Sequence, residues 1–561
     1  MRYDSVRCEF NLNGTWTDLN AYRLQTAPIH GSMGFSDSQP VDRVAGTGTL
    51  TLTLRNVNNM FTPGHALCLS GFQSGMKFRL RMVLEGVTRT RFYGFVPADG
   101  IALDSNAYLS TATITVVDYM EHLATHALDL PAYTTSKRLD EVIALILANM
   151  PIAPLSTSYG TGKSTFTSVF DTVKDSTKAL SEVGKATASE LGYVYIKQSA
   201  TCDEVLTVEA RGGRNGKSLA TFNVLSGNGD TRITEAGDTR VTEYERISYS
   251  GYYSEHVNYT RIISDTFTPA TATFTGGWRS MGLSHARAYY NRVNAKAYPR
   301  KADANNVVLF TLDKPISITS GQTVTIKGTF RDPSQQAQSV AAVSTVSPTA
   351  TTDYLFNTAE NGSGTNITAD LSVTASYGVN GVEYTLKNNN ASTGYVTLLQ
   401  ARGKAVYTYR PVEIVKKDTT LINTDGDKPL TLEMTYQDNP LVTEDVATAM
   451  LKKHKEKLTT LRSVTFSANR DGETAADFYA MAFLCLQVGD KIKIVDDTAG
   501  LDRDAFIHRI DFSIGSGDVV EYTYELKDAQ YDVYTAWILD DAIYGVLAGD
   551  DPTTGTTILG Y

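Results

Sequence analysis

The segment GTGTLTLTLRNV, residues 46–57, alternates leucine with threonine. Leu50, Leu52 and Leu54 fall on one side of an extended chain and threonines on the other, because successive side chains of a strand point to opposite faces. This period of two predicts a strand that is buried on one face only. Residues 1–130 are therefore predicted as a β-rich region. Further strands are predicted at KFRLRMVLEG, RTRFYGFVPADG and TATITVVDYM, and the first two of these are expected to pair with each other.

Residues 131–212 are predicted to form a small α/β module. A first helix runs from Ser136, its N-cap, to Met150, with Asp140 and Glu141 near its positive end. A second helix, STKALSEVGKATASEL, is expected to stop at Gly192, which would take the position after the C-cap. Two short strands, YVYIK and EVLTVEA, complete this module.

A change of composition marks the middle of the chain. From Ser334 to Gln400 the only basic residue is Lys387, and short alternating runs recur about every ten residues. This pattern predicts a β-sandwich over residues 303–404. The predicted regions around it are a β-rich connection at 213–302, a second β region at 405–530 and a C-terminal tail at 531–561. The second β region includes a helix, TEDVATAMLKKHKEKL, with acids in its first turn and lysines in its last.

Composition excludes several classes of protein. The 561 residues, 42 % of them hydrophobic, are enough for several folded domains. The net charge of −10 argues against a surface that grips nucleic acid. The four cysteines are scattered, which predicts neither a zinc site nor a disulfide framework. The N-terminus lacks the apolar core of a signal peptide and no run of about eighteen apolar residues occurs, so neither a leader nor a membrane span is expected.

One stretch, SYGTGKSTF at residues 158–166, is close to a nucleotide-phosphate loop. Thr157 stands where that loop needs a glycine, and a predicted helix precedes it where a buried strand is needed. We therefore interpret the stretch as a polar loop and expect no binding of ATP or GTP.

Other candidate sites are weaker still. His122 and His126 are one helical turn apart and could share a metal, but packing or solvation of a helix face explains them as well. NTDGD, residues 423–427, lacks the remaining ligands of a calcium loop. The pairs Asp496–Asp497 and Asp550–Asp551 are interpreted as solvated loops. The chain is predicted not to be an enzyme, and to have no catalytic, cofactor-binding or metal-binding residues.

Several stretches together resemble one family. AGTGTLTLTLRNVNNMFTP, residues 45–63, resembles a segment near the N-terminus of the tail-tip hub proteins of long-tailed, siphovirus-type bacteriophages. Most of the chain continues the resemblance in the same order, through GMKFRLRMVLEG, RFYGFV, TITVVDYMEHL, ITSGQTVTIKGTFRDP, TDYLFNTAENGSGTNIT, YVTLLQARGKAVYTY, LQVGDKIKIVDD, FIHRIDFSI and WILDDAIYGVLAG.

The resemblance implies a fold and a role. It implies two β-barrels that copy the tail-tube subunit, at 1–130 and 405–530, and an inserted immunoglobulin-like β-sandwich at 303–404. Three copies would form a hub at the tip of the virion tail, adapting the sixfold tail tube to a threefold tip. The implied partners are the distal tail ring protein, the tape measure protein and other tail-tip proteins, while DNA passes through the channel without specific binding.

Alternatives stay open at this point. A sixfold distal tail ring protein is one, and a hydrolase is another. A third is a carbohydrate-binding protein that contacts the host cell surface through 303–404, with candidate aromatic residues that core packing would also explain: Tyr354, Phe356, Tyr377 and Tyr384. The sandwich is expected outside the ring and to be removable. The channel wall is expected to carry more acids than bases, with Asp496–Asp502 and Gly237–Arg240 as candidate segments.

Overall fold

The chain is mainly β, with 47 % strand and 15 % helix, as the sequence predicts. A computed structural model describes residues 3–36, 39–84, 86–105, 109–129, 134–171, 173, 176–226, 231–233, 239–241, 266–468, 476–529 and the pairs 537–538, 546–547, 549–550 and 557–558. No described helix is long and apolar enough to cross a membrane.

The alternation of leucine and threonine forms the predicted half-buried strand. Leu50, Leu52 and Leu54 are at most 1 % exposed, and the threonines between them face away from the core. The next two strands pair antiparallel, as expected. The elements of this part are β1 Ser5–Leu12, β2 Thr15–Asp18, β3 Ile29–Gly34, β4 Thr49–Arg55, β5 Lys77–Leu84, β6 Val87–Phe95, β7 Ile101–Ser105, β8 Ser110–Val117 and the short helix α1 Met120–Thr125.

In the α/β module both predicted helices exist, but the start of the first differs from the prediction. The first begins after Arg138, whose N–H donates to the Glu141 side chain, and Ser136 lies outside it at φ 53°. The second has Leu191 as its C-cap, so Gly192 follows the C-cap as predicted. The left-handed residue is Leu191, at φ 60°, and Gly192 instead allows close packing against the chain at residue 209. The elements are β9 Lys137–Arg138, α2 Leu139–Ala148, β10 Thr157–Tyr159, β11 Thr165–Phe166, α3 Ala179–Glu190, β12 Tyr193–Lys197 and β13 Val205–Glu209.

The connecting region is β-rich where the structure describes it. Its strands are β14 Thr221–Ser226, β15 Thr231–Ile233, β16 Thr239–Val241, β17 Thr266–Thr271, β18 Thr273–Phe274, β19 Trp278–His285, β20 Arg292–Ala297 and β21 Arg300–Ala302. β18 and β19 join strands from the far end of the chain, so this region is tied into the main sheet.

The middle of the chain forms two sheets around a common core, here called the two-sheet unit and comprising β21 with the strands below. Its core includes Phe356 and Tyr384, both fully buried. It also packs on the α/β module: Val406 joins that module's core, and Arg300 forms a buried ion pair with Asp171. The strands are β22 Val307–Thr311, β23 Ile316–Ile318, β24 Thr323–Thr329, β25 Arg331–Asp332, β26 Gln335–Ser339, β27 Ala341–Val343, β28 Tyr354–Asn357, β29 Leu371–Tyr377, β30 Gly381–Asn388 and β31 Gly394–Thr408.

The C-terminal part contains the predicted strands and two unexpected helices, α4 and α6. The predicted helix of this part starts earlier than expected, at Pro440, with Asn439 as N-cap, so Glu444 and Asp445 lie beyond its first turn. Lys452 and Lys453 lie in its last turn, as expected. The elements are β32 Val412–Lys417, α4 Thr419–Asp425, β33 Pro429–Met434, α5 Pro440–His454, β34 Thr459–Ser467, α6 Ala476–Cys485, β35 Lys491–Asp496, β36 Leu501–Ile514, β37 Val520–Asp528, β38 Trp537–Ile538, β39 Val546–Leu547, β40 Gly549–Asp550 and β41 Thr557–Ile558.

The two ends of the chain share one sheet of 14 strands, because β3 pairs antiparallel with β36. Eight of these strands run side by side in the order β19-β34-β37-β36-β3-β4-β8-β7, and we call them the central sheet. Two separate barrels were expected from the resemblance. The described strands of a single chain instead form an open sheet and close no barrel.

Candidate functional site: the open face of the central sheet

One face of the central sheet is buried and the other is not. Leu50, Ile114, Ile510, Tyr524 and Val464 point into a single core. The opposite side chains are all at least partly exposed, and we call this side the open face: His30, Ser32, Thr49, Thr51, Thr53, Arg55, Thr111, Thr113, Thr115, Ser463, Thr465, Ser467, Arg509, Asp511, Ser513, Glu521, Thr523 and Glu525. The period of two in each strand is the physical origin of this division.

The register of the strands lines these side chains up in rows. One row crosses the join between the two ends of the chain as Thr51, His30, Ser513, Glu521 and Ser467. Within such rows neighbouring hydroxyls come within hydrogen-bonding distance, 2.8 Å for one cross-strand threonine pair and 3.2 Å for another. The open face is therefore a continuous surface made mainly of short polar side chains. A shallow groove of about 370 Å³ runs along its centre.

Charge on the open face is sparse and largely paired. Arg509 donates to Asp511 at 2.9 Å, and Arg279 forms an ion pair with Glu521. The eight strands, all within the described part of the chain, contain a single lysine, Lys527, and it is buried. The face thus offers mainly hydroxyls, together with a few acids and three arginines. Two of the arginines are paired with acids, and the third, Arg55, donates to the Ala21 carbonyl at 3.2 Å.

The central sheet ends in two strand edges. β7 pairs only with β8 among the described strands, and β19 only with β34. Each edge carries an exposed leucine, Leu103 at 45 % and Leu283 at 42 %. Unpaired edges with apolar side chains attract a further strand, so these two edges are the places where another copy can be added.

A tight contact joins the two halves of the central sheet. Gly31 on β3 faces Phe512 on β36, and a Cβ atom at position 31 would lie 2.2 Å from the Cζ atom of that ring. Only glycine leaves room for the ring to cross the joint. The join between the two chain ends is therefore a packed feature of the core.

The look-alike phosphate loop is filled by the protein itself. The predicted helix, α2, does precede it. The short exposed strand β10 overlaps its first two residues, and β11 follows where a nucleotide site needs a helix. The N–H groups of Lys163 and Ser164 donate to the buried Glu190 carboxylate at 2.6 and 2.9 Å. Burial raises the pKa of Glu190, against the opposing effect of Arg211 and these N–H groups. A carboxylate thus occupies the position of a phosphate.

The two candidate metal ligands are placed for packing. The His122 ring stacks on Phe95 with centroids 4.0 Å apart, and burial lowers its pKa. His126 follows the end of α1 and its N–H completes that helix's last hydrogen bond. No three His, Cys, Asp or Glu side chains cluster as metal ligands within the described residues.

The acidic candidates serve turns and ion pairs. In NTDGD, Asp425 pairs with Lys457 at 2.6 Å and Asp427 with Arg292 at 2.8 Å. Asp496 accepts from the N–H of Thr498 in the turn between β35 and β36. That turn lies outside the part of β36 that pairs with β3. Asp551 and two of the four residues of Gly237–Arg240 fall outside the described residues.

The aromatic residues considered for carbohydrate contact belong to the core of the two-sheet unit, which corrects that hypothesis. Phe356 and Tyr384 are fully buried, and Tyr354 and Tyr377 pack against the same core. The Tyr384 and Tyr377 hydroxyls donate to backbone carbonyls inside this unit. Core packing explains all four.

Sequence reasoning missed the residues of the open face beyond β4. Asp511 and Glu521 alternate with buried residues in HRIDFSI and VVEYTYELKD, so the same period-two argument could have placed them. What the sequence does not show is that these strands continue the sheet of β3 and β4.

No family model matches the sequence, and no curated protein matches it. The chain is similar in structure to the tail protein from Neisseria meningitidis MC58, with TM-score 0.44, 10 % identity and coverage of 94 % of this chain and 99 % of that one. It is also similar to the prophage MuSo2 43 kDa tail protein from Shewanella oneidensis, with TM-score 0.43, 8 % identity and coverage of 94 % and 99 %. A third similar structure is the prophage tail protein gp18 from Listeria monocytogenes EGD-e, with TM-score 0.37, 9 % identity and coverage of 93 % of this chain and 94 % of that one.

Proposed function

We propose that this chain is a structural protein of a phage tail and forms the trimeric hub at the tail tip. The observation that carries the proposal is the central sheet: eight strands from both ends of the chain, with one polar face left open and two free edges. A sheet of this kind gains by adding copies at its edges, and rotational symmetry closes such additions into a ring.

In the proposed ring, β7 of one copy lies beside β19 of the next. Each copy supplies two four-stranded halves, so three copies present six similar halves to a sixfold tail tube while keeping a threefold tip. The two tube-like barrels of the resemblance correspond in this arrangement to the two halves, completed by neighbouring copies. The distal tail ring protein, the tape measure protein and other tail-tip proteins are the proposed partners, and the immunoglobulin-like two-sheet unit lies outside the ring.

The open face is the proposed channel wall. Its hydroxyls and few acids leave DNA free to slide, because each lysine or arginine bound to a phosphate would add affinity. Passing DNA therefore meets the rows of threonine and serine without specific binding. The proposed role involves no catalysis.

The mass of the assembled protein tests the proposal. Native mass spectrometry is expected to give three times the 61.1 kDa chain mass. Leu103→Lys and Leu283→Lys place a charge on the two edges and are expected to yield monomers, since edge lysines block strand addition. Leu441→Lys, at a residue 69 % exposed outside the central sheet, is the matched control and should assemble normally. A sixfold mass would point to a distal tail ring protein, and assembly that survives both edge variants would contradict the proposed interface.

A further inference from the structure

A fully buried arginine, Arg91, lies beside helix α6. In the pairing of β5 with β6, Phe92 lies opposite Leu80 and Thr90 lies opposite Arg81, so Arg91 has no residue opposite it. Arg91 is therefore the extra residue of a β-bulge, and a bulge turns its side chain out of the regular alternation of a strand. The side chain is 0 % exposed. The bulge thus places a positive charge in the core.

Only part of the Arg91 guanidinium is hydrogen-bonded. Nη1 donates to the carbonyl of Leu486, directly after α6, at 2.8 Å. Nε and Nη2 have no hydrogen-bond partner within the described residues. These two atoms lie on one edge of the planar group and direct their N–H bonds in parallel, which is the arrangement that holds an anion with two hydrogen bonds. Buried donors are nearly always paired in proteins, so this edge indicates a bound acceptor.

The charge of Arg91 has no direct counter-ion in the part of the chain that the structure describes. The groups that act on it through space are Tyr524, Tyr3, Cys485 and Asp490. Burial raises the pKa of Tyr3, Tyr524 and Cys485, so all three are neutral at neutral pH. The Asp490 carboxylate accepts from a backbone N–H at 2.9 Å, and burial raises its pKa as well. A buried charge without a partner is costly, so a bound anion would stabilise this arrangement.

The surroundings of the guanidinium select the kind of anion. The Tyr3 hydroxyl donates to the Ala480 carbonyl at 2.8 Å. The Tyr524 hydroxyl donates to the Ala482 carbonyl at 3.2 Å. The Phe483 ring lies 4.8 Å from the guanidinium carbon and is apolar. A carboxylate has about four lone-pair sites that need donors, and these side chains supply none. A halide ion fits better, because it is one atom in size and less strongly hydrated.

A pocket of about 390 Å³ between β6, β14 and α6 brings solvent close to this place. Cys485 lines the pocket and directly precedes Leu486, whose carbonyl binds Arg91. Arg89 lines it too, and its guanidinium donates to the Thr88 carbonyl at 3.0 Å and has no acidic partner among the described side chains. A positive charge in a cleft raises the local concentration of anions. The pocket is therefore the route by which an anion reaches the guanidinium.

We propose that Arg91 binds one chloride ion on its Nε and Nη2 edge and that this ion belongs to the folded protein. The ion neutralises the charge that the bulge places in the core, and it holds β6 beside α6. A water molecule would accept the same hydrogen bonds but would leave the charge uncompensated. The site includes no residue of the open face or of the two sheet edges, so the inference is independent of the hub assignment.

Thermal unfolding of the full chain in sodium chloride and in sodium sulfate of equal ionic strength tests this site. Sulfate stabilises folded proteins in general because it is excluded from their surface, so a chain without the site unfolds at the higher temperature in sulfate. We expect the reverse order, with the midpoint in about 100 mM chloride higher by about 2–4 °C, since the ion binds only the folded state. A midpoint in chloride that does not exceed the midpoint in sulfate would overturn the proposal. An equal rise in sodium acetate would overturn the choice of a halide.

Two variants assign the chloride effect to Arg91. Arg91→Met removes the charge and both N–H donors while an unbranched side chain fills the space, and it should abolish the rise in chloride. Arg7→Met, at an exposed arginine of β1, is the matched control and should keep the rise. Equal loss in both variants would contradict the site.

Crystals of the unmodified chain keep the test decisive if Arg91→Met does not fold. After a soak in sodium bromide, anomalous diffraction is expected to show a peak beside the Nε and Nη2 atoms of Arg91. Bromide peaks elsewhere with none at this edge would overturn the proposal.

Discussion

In the half of the central sheet built from β3, β4, β7 and β8 the buried side is aliphatic, with Leu50, Leu52 and Ile114 among its members. In the half built from β19, β34, β36 and β37 aromatic rings join the aliphatic side chains, and Phe466 and Tyr522 pack with centroids 5.4 Å apart. The open sides of both halves carry threonine and serine, and the second half adds Asp511, Glu521 and Glu525. The two halves thus differ more in their buried side chains than in the hydroxyl groups of their open sides.

A large effect is expected at the joint between the halves. Gly31→Ala places a Cβ atom against the Phe512 ring, and we expect a loss of about 3 kcal/mol in the free energy of unfolding because this ring, which packs on Phe483 with centroids 5.5 Å apart, must shift. Gly282→Ala in β19 is the matched control: its Cβ would meet the Ser463 hydroxyl at 2.8 Å, and that side chain can rotate away. Urea unfolding measures the stability of both variants. Equal midpoints would show that the contact between residue 31 and the Phe512 ring is not tight.

The next effect separates the two kinds of core. Leu52→Ala leaves a cavity in the aliphatic half and should cost about 2–5 kcal/mol. Tyr522→Phe keeps the ring but loses the hydroxyl's hydrogen bond to the Tyr479 carbonyl, at 2.9 Å, and should cost about 1–2 kcal/mol. Thr51→Ala, on the open face beside Leu52, should stay within about 0.5 kcal/mol. If Thr51→Ala lowers the free energy of unfolding as much as Leu52→Ala does, the open face stabilises the single chain.

A pH-dependent effect is expected in the first half. Burial raises the pKa of Asp118, after β8, to about 8, and its carboxyl accepts from the Met120 N–H at 3.0 Å. Because of its raised pKa, the Asp118 carboxyl keeps its proton in the folded state over a pH range in which the unfolded chain loses it. The contribution of this group to the free energy of unfolding is therefore complete below about pH 4 and is lost as pH rises through 8.

Asp118→Asn should remove this dependence. The variant is expected to gain stability relative to the unmodified chain as pH rises from 5 to 8, by at most about 1.4 kcal/mol per pH unit. Thermal unfolding midpoints across this range give the comparison. Asp511→Asn, on the open face, serves as control, and a parallel pH response in both variants would contradict the assignment to Asp118.

Sequence patterns predicted the individual strands well where one face is buried. The Leu50 to Leu54 alternation and the pairing of β5 with β6 are confirmed. Helix α6 was missed because FYAMAFLCL is apolar all round: Tyr479 to Leu484 are all buried, so no amphipathic period marks the helix. The end of α3 was placed correctly, but the left-handed residue there is Leu191, because its neighbour Gly192 is needed for packing.

The open face itself could be predicted only in pieces. The polar side of β4 is evident from its threonines, but the pairing of β3 with β36 depends on packing between the two ends of the chain. No local pattern records which distant strand completes a sheet. The loop at 158–166 shows the same limit, because the carboxylate that fills it comes from a helix further along the chain.

The union of both chain ends in one sheet also sets an order of folding. Arg23 donates to Asp518, 495 positions away, and β3 has no partner on one side until β36 has been made. During synthesis β3 therefore stays unpaired on that side. The α/β module and the two-sheet unit, whose contacts are more local, can fold before β36 is made. Long-range closure of this kind is slow and leaves strands exposed. We therefore expect the central sheet, and with it the surface that the proposed ring requires, to form only after β36 and β37 have been synthesised.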